Sequence, residues 1–170
     1  MTVVEYIQRS VSDLNNTLIQ DVKPLTPQQL AWKPAPNANP IGFLFWHFMR
    51  SQDEIIAGLA KRQSVWVSEK WFEKLELTPR DSGAGYKPEQ VDKAAAMPLE
   101  TVMPYAERVA QSSQDYLKTI TDADLETAND PNRPNRTVVV MLRSFVIAHG
   151  WWHLGEIKYL KGMQGMPFAY

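Results

Sequence analysis

The sequence predicts an all-α protein, a four-helix bundle with a long connection between its second and third helices. Four long segments carry apolar side chains at spacings of three and four residues, which is the period of an amphipathic helix. Residues that favour helix starts, such as threonine and proline, stand before these segments. No set of segments supplies strands that could pair into a sheet, so the helical pattern decides the fold class.

The first half of the chain contains two of the predicted long helices. The first runs from Thr2, its cap, to about Asp21. Thr26-Pro27-Gln28-Gln29 then has the threonine cap, early proline and third-position glutamine that start a helix, here a short one. Asn39-Pro40 starts the second long helix, which is expected from Ile41 to about Arg62.

The second half begins with a less regular stretch, residues 63–97, in which one helical piece is expected around Trp66–Leu75. A connection of this length is more than a tight turn needs, so it crosses one end of the bundle, covers a pocket there, or does both. The third long helix is expected from Pro98 to about Thr121. Thr137 is predicted to cap the fourth, which ends at Leu160 or Lys161.

Composition limits the classes of function. A chain of 170 residues suits a single domain, 1–170, with a real core. Because it has no cysteine, any metal ligands must be nitrogen or oxygen. The net charge of −1, with scattered Lys and Arg, argues against a nucleic-acid partner. No signal peptide or membrane-spanning run is recognisable, so we expect a cytoplasmic protein without a membrane partner.

The three histidines of the chain are the main candidates for a functional site. His149 and His153 are four residues apart, so both imidazoles lie on one face of the fourth helix. His47 lies in another strongly apolar segment, and an unpartnered buried imidazole would cost about 1–3 kcal/mol. One shared metal ion would satisfy all three rings, and we therefore predict that His47, His149 and His153 hold one metal.

Glu156 continues the stripe of His149 and His153 and is the candidate catalytic residue. It could act as a general base, orient a bound water, support His153, serve as a fourth ligand, or be a surface charge near the helix end. Three protein ligands with an open position are the catalytic arrangement of zinc. A zincin-type peptidase is not expected, because Gly150 stands where the catalytic glutamate of H-E-x-x-H would be.

Other residues near the histidines have plainer interpretations. Trp46, Trp151 and Trp152 are predicted to be packing residues and not to stack on a cofactor. Asp53 points away from His47 on a helical wheel and is predicted to lie at the surface.

Three stretches resemble the DinB/YfiT-like superfamily of metal-dependent enzymes. They are the lead-in Asn39-Pro-Ile-Gly-Phe-Leu-Phe-Trp-His47, the run His149-x-x-x-His153-x-Gly-Glu156-Ile, and Leu25-Thr-Pro-Gln-Gln-Leu-Ala-Trp-Lys-Pro34. The resemblance implies a four-helix bundle, a metal on the three histidines, a homodimer and, in several branches, a low-molecular-weight thiol. Gly150 departs from the acidic residue that the family often has after the first histidine of the pair.

The sequence thus predicts a metal-dependent enzyme of the transferase or hydrolase type that acts on a small molecule, and the resemblance adds a low-molecular-weight thiol as a candidate co-reactant. Zinc and nickel are the first candidates for the ion, followed by iron and manganese. The alternative is a non-catalytic, metal-stabilised bundle that works as a dimeric binding or stress-response protein.

Overall fold

The computed structural model describes residues 1–167, and all of its regular elements are helices. The all-α prediction is therefore confirmed. The helices are α1 (Val3–Val22), α2 (Pro27–Ala31), α3 (Ile41–Leu59), α4 (Val65–Ser68), α5 (Trp71–Lys74), α6 (Pro88–Ala95), α7 (Leu99–Leu117), α8 (Val138–Met141) and α9 (His149–Met163). A π-helical segment, Leu142–Ala148, joins α8 to α9 without a break.

Four long helical stretches surround the core: α1, α3, α7 and the continuous run from α8 to α9. Helix α3 contacts both α7 and α9, and α1 contacts α7 and α9. The core around α3 is rich in aromatic side chains, among them Phe45, Trp46 and Phe48, which are almost completely buried. A second apolar cluster at the other end of α1 contains Val4, Val11 and Val146.

The side-chain caps predicted at the starts of α1 and α2 are confirmed. Thr2 accepts a hydrogen bond from the backbone of Glu5, whose side chain reaches back to Thr2. Thr26 and Gln29 form the same reciprocal pair at α2. Thr137 stands at the start of α8 but makes no side-chain cap bond.

The helix ends differ from the prediction by a few residues. Helix α3 stops at Leu59 instead of Arg62, because Lys61 adopts a left-handed backbone with φ of 51°. Helix α7 stops at Leu117 instead of Thr121. Pro104 lies inside this helix and does not end it. Apolar periodicity specifies helix ends only weakly, because the terminal turns carry polar side chains and often fray.

The long connection contains more structure than the sequence indicated. The single helical piece expected around Trp66–Leu75 is two short helices, separated by Lys70 in a left-handed conformation with φ of 55°. Helix α6 was not predicted. It packs on the start of α3 so closely that a Cβ on Gly42 would lie 2.7 Å from the carbonyl oxygen of Ala95. Its stability comes from this packing more than from local propensity.

Gly150 is required for the packing of α9 against α1 and α3. A Cβ at this position would lie 2.4 Å from Leu14 Cδ2 and 2.7 Å from Phe48 Cζ. Neither neighbour can move freely, since Leu14 and Phe48 are fully buried. The glycine lets α9 approach the core at the point where its first histidine stands.

We predict that Gly150→Ala lowers the free energy of unfolding by about 1–3 kcal/mol, because the added methyl overpacks the core. The matched control is Gly58→Ala, at an exposed helical glycine whose Cβ would have nothing within 4 Å. That change should stabilise by up to about 1 kcal/mol through helix propensity. Chemical denaturation of both variants measures the difference, and equal effects would contradict this account of Gly150.

Candidate metal centre

Three histidine rings converge at the junction of α3 and α9. His47 comes from the middle of α3, and His149 and His153 come from the first two turns of α9. One ligand nitrogen from each ring lies within 4.8 Å of the other two. The Nε2 atoms of His149 and His153 are 2.8 Å apart. The structure thus brings together the three side chains that the sequence singled out, in an arrangement that could hold a metal ion.

The other nitrogen of each ring has a partner within the protein. Nδ1 of His47 lies 2.5 Å from the carbonyl oxygen of Ser82, and Nδ1 of His153 lies 2.6 Å from Glu156 Oε2. The ring of His149 is hydrogen-bonded to the backbone carbonyl of Phe145. Carbonyl and carboxylate oxygens only accept, so these contacts assign a proton to the ring nitrogen facing them. Partners of this kind are usual for metal-binding histidines.

The remaining nitrogens therefore present lone pairs to a common point. A neutral imidazole protonated at Nδ1 is an acceptor at Nε2. Two such acceptors only 2.8 Å apart, at His149 and His153, repel each other unless a cation or a proton lies between them. The donor set fits a divalent ion that prefers imidazole nitrogen.

The surroundings of His47 and His149 favour the neutral form of these two rings. Burial, reinforced by the nearby rings of His153 and His47, lowers the pKa of His149 from 6.5 to about 4. Burial also lowers the pKa of His47, against the opposing effect of the Ser82 carbonyl. Neutral imidazole is the form that binds a metal, so these two rings need not release a proton at pH 7.

A π-helical turn immediately precedes the histidine pair. The segment Leu142–Ala148 has a wider turn than the α-helix on either side of it, and it therefore changes the rotation of His149 relative to α8. Such segments are frequent at functional sites. The continuous apolar periodicity of this region gives no sign of the π segment.

The loop between α5 and α6 holds His47 in place. The ring of His47 is stacked on Phe43, with centroids 5.5 Å apart and planes at 5°. Gly83 approaches this pair of rings so closely that a Cβ would lie 2.8 Å from His47 Nδ1 and 3.1 Å from Phe43 Cε2. In the sequence this stretch was recognisable only as part of the long connection between the second and third helices, so its contact with His47 was missed.

Arg50 anchors that loop one turn further along α3. Its side chain is only 3% exposed, and its Nε donates to the carbonyl oxygen of Asp81 at 3.0 Å. The guanidinium also lies 5.3 Å from the centroid of the Trp66 ring. The Asp81 carboxylate accepts from the backbone N–H of Thr78 and from the hydroxyl of Tyr86. In the sequence, an arginine directly after the apolar run of α3 is the signal that could have indicated an ordered loop here.

Two predictions about nearby residues are wrong. Asp53 is buried, not at the surface, since its carboxylate accepts from the backbone N–H groups of Val65 and Trp66 and from the Tyr105 hydroxyl. Trp151 and Trp152 are 46% and 69% exposed, so they do not pack in the interior. Of the three tryptophans considered, Trp46 alone is buried as expected.

Glu156 lies at the solvent edge of the cluster, with a side chain that is 52% exposed. Its contact with Nδ1 of His153 makes it the partner that orients this ring. This is one of the roles that the sequence left open for it. Among the described residues, Glu156 makes no further contact with the histidines that would identify it as a general base or as a metal ligand.

The chain matches the DinB superfamily over residues 12–157, which is most of its length. The chain belongs to the DinB superfamily. The resemblance drawn from the histidine and Asn-Pro stretches is therefore confirmed. No curated protein matches the chain.

A solved structure shares the fold of this DinB-superfamily protein. The crystal structure of a conserved protein from Enterococcus faecalis superposes with a TM-score of 0.80 at 23% identity, covering 95% of this chain and 96% of that one. This similarity concerns the fold alone. Within residues 1–167 of our DinB-superfamily protein, no helix combines the length and the apolar character needed to cross a bilayer.

We predict that the metal-free protein loses stability as the pH falls from 6.5 towards 4. The unfolded chain takes up a proton on His149 below 6.5, whereas the folded protein resists protonation down to about 4. The stabilising contribution is therefore complete above pH 6.5 and declines below it. Denaturation of chelator-treated protein at a series of pH values measures this slope. His149→Gln should make the slope shallower, and identical slopes for both proteins would refute the assignment.

Proposed function

We propose that the protein is a metal-dependent enzyme in which His47, His149 and His153 hold one divalent ion. The supporting observation is that the two nitrogens of each ring have different roles. One nitrogen of each ring is hydrogen-bonded to the protein, and the other faces a common point. Packing alone would not require three such lone pairs to converge.

The ligand set narrows the identity of the ion. Three imidazoles and no thiolate suit zinc or nickel first, and iron or manganese after them. Metal–nitrogen distances of about 2.0–2.1 Å are expected for zinc. Because only three protein ligands are proposed, a position stays open for water or substrate, as in catalytic zinc sites.

The chemistry that such an ion supplies when bound is Lewis acidity, which activates a water, a thiol or a carbonyl group of the substrate. This would suit a transferase or a hydrolase acting on a small molecule. As the chain has no cysteine, a thiol in the reaction would have to come from a low-molecular-weight compound. The thiol remains part of the proposal and rests on the family resemblance.

The residues around the rings would supply orientation. The carbonyl oxygens of Ser82 and Phe145 fix the protons of His47 and His149, and the carboxylate of Glu156 does the same for His153. A carboxylate partner also raises the basicity of the ring and strengthens its bond to a metal. We propose this as the first role of Glu156. Its free oxygen at the solvent edge could in addition accept a proton from substrate.

Metal analysis of protein purified without an affinity tag tests the proposal. We expect one metal ion per chain in the wild type and none in His153→Ala, with the far-UV circular dichroism largely unchanged. Glu156→Gln should keep the metal but bind it about 10–100-fold more weakly, because the partner of His153 is weakened. Substoichiometric metal after supplementation would contradict the site itself.

The same variants separate an enzyme from a metal-stabilised binding protein. The competing role gains support if His153→Ala unfolds the protein, since the ion would then link α3 to α9 structurally. Turnover of electrophiles with a panel of cellular thiols, and of hydrolysable small molecules, tests catalysis directly. Inactivity of the fully metal-loaded protein across both panels would favour the non-catalytic role.

Two glycines of one loop allow a sharper test of how His47 is held. Gly83 and Gly85 both have positive φ, 84° and 72°, so alanine at either adds backbone strain of about 1 kcal/mol. Only at Gly83 would the Cβ meet His47, whereas at Gly85 nothing lies within 4 Å. We predict that Gly83→Ala weakens metal binding about 10–100-fold and that Gly85→Ala does not. Isothermal titration with zinc measures both, and equal affinities would contradict a positioning role for the loop.

A further inference from the structure

A cavity of about 590 Å³ opens at the end of the bundle where α1 finishes and α7 begins. Its walls come from the end of α1, helix α2, the end of α6 and the first turns of α7. Nine of its eleven lining residues are apolar, so water inside it finds few hydrogen-bond partners. None of them is a histidine of the cluster or the partner of one, so this cavity is separate from the candidate metal centre.

The walls of the cavity are held by contacts that lie outside it. Helix α2, which supplies Leu30, is fixed at its start by the reciprocal hydrogen bonds between Thr26 and Gln29. The end of α6 is fixed against α3, since the carbonyl oxygen of Ala95 leaves no room for a Cβ on Gly42. Pre-formed cavities of roughly 300–1,000 Å³ with mostly apolar walls are typical sites for small molecules.

The inner part of the cavity suits an apolar group. Leu30, Ala95 and Met103 are only 3%, 3% and 7% exposed, so they form the floor of the cavity. Met97 lines it as well and is half-buried. Methionine side chains are flexible and adapt to the shape of a ligand. An apolar tail on this floor would leave water without displacing any hydrogen bond of the protein.

The mouth of the cavity carries one positive and one negative side chain. Lys23 stands at the C-terminal end of α1, and Glu100 lies in the first turn of α7. Both residues are exposed. Within residues 1–167, neither side chain has a hydrogen bond or an ion pair, so both are free to contact a ligand.

These two opposite charges select the polar group of the ligand. A ligand with a net charge would be attracted by one of the two side chains and repelled by the other. The ammonium group of Lys23 only donates hydrogen bonds, and the carboxylate of Glu100 only accepts them. A neutral group that both accepts and donates, such as a hydroxyl or a primary amide, therefore suits both side chains at once.

We propose that this cavity binds a small neutral amphiphile, a molecule with an apolar body and a hydroxyl or primary amide at one end. The apolar body lies on the floor formed by Leu30, Ala95 and Met103. The polar end lies at the mouth, between Lys23 and Glu100. Because the cavity shares no residue with the histidine cluster, this binding requires no metal and does not depend on the proposed enzymatic function.

Octanol, octanamide, octanoate and octylamine share one tail and test the proposal by titration into the chelator-treated full chain. Nuclear magnetic resonance of ¹³C-labelled methionine methyl groups should show shifts at Met97 and Met103. We expect a Kd of about 1 mM or below for the two neutral probes and roughly 2–5-fold weaker binding of the charged ones. Glu100→Gln should remove the disadvantage of octanoate, and Lys23→Gln should remove that of octylamine.

Ala96→Trp should abolish binding, because the exposed Ala96 lines the cavity and the large ring would occupy its mouth. Ala123→Trp is the matched control, at an exposed alanine outside the cavity, and should bind like the wild type. Circular dichroism checks folding, and the two charge variants keep the test valid if Ala96→Trp does not fold.

The methyl group of Met163, 48% exposed on α9, should not shift and so reports non-specific association with apolar surface. The absence of shifts at Met97 and Met103 with every probe would overturn the proposal. Equal shifts at Met163, tighter binding of a charged probe to the wild type, or unchanged binding by folded Ala96→Trp would overturn it as well.

Discussion

The structure of the candidate site depends on hydrogen bonds that hold one nitrogen of each histidine. Ser82, Phe145 and Glu156 each take a ring proton, and the other nitrogens then converge as acceptors. Each of these partners belongs to a different local structure: a loop after α5, the π segment before α9, and the next turn of α9 itself. Only the loop that carries Ser82 lies in a stretch that looked irregular in the sequence, whereas Phe145 and Glu156 belong to the continuous fourth helical run.

The fold and the identity of the histidines could be predicted from the sequence because both rest on local patterns. Apolar periodicity specifies helices, the spacing of His149 and His153 specifies a shared face, and Thr2 and Thr26 specify helix starts. The loop contact at Ser82 and Gly83 could not be predicted, since it joins residues 35 positions apart and uses a backbone carbonyl that any residue type supplies. The π segment could not be predicted either, because its residues are of the same apolar types as those of the α-helix around it.

Buried polar residues explain why the long connection has a defined shape. Asp53 caps α4, and Arg50 binds the carbonyl of Asp81, so two charged side chains of α3 order the segment that covers their own helix. A helical wheel led to the wrong surface prediction for Asp53, because it cannot show that backbone N–H groups from residues 65 and 66 meet the carboxylate. Gly150 is a comparable case, because the sequence alone does not show that its Cα lies against Leu14 and Phe48, with no room for a Cβ.

Helix α9 serves both the core, through Gly150 and Leu154, and the histidine cluster, through His149 and His153. Both uses depend on the same rotation of α9 about its axis. The most direct measurement of the central claim is X-ray absorption at the metal edge of zinc-loaded, tag-free protein. The account predicts three imidazole nitrogens at about 2.0–2.1 Å together with oxygen from water. A shell of oxygen alone, or a spectrum unchanged in His47→Ala, would contradict it.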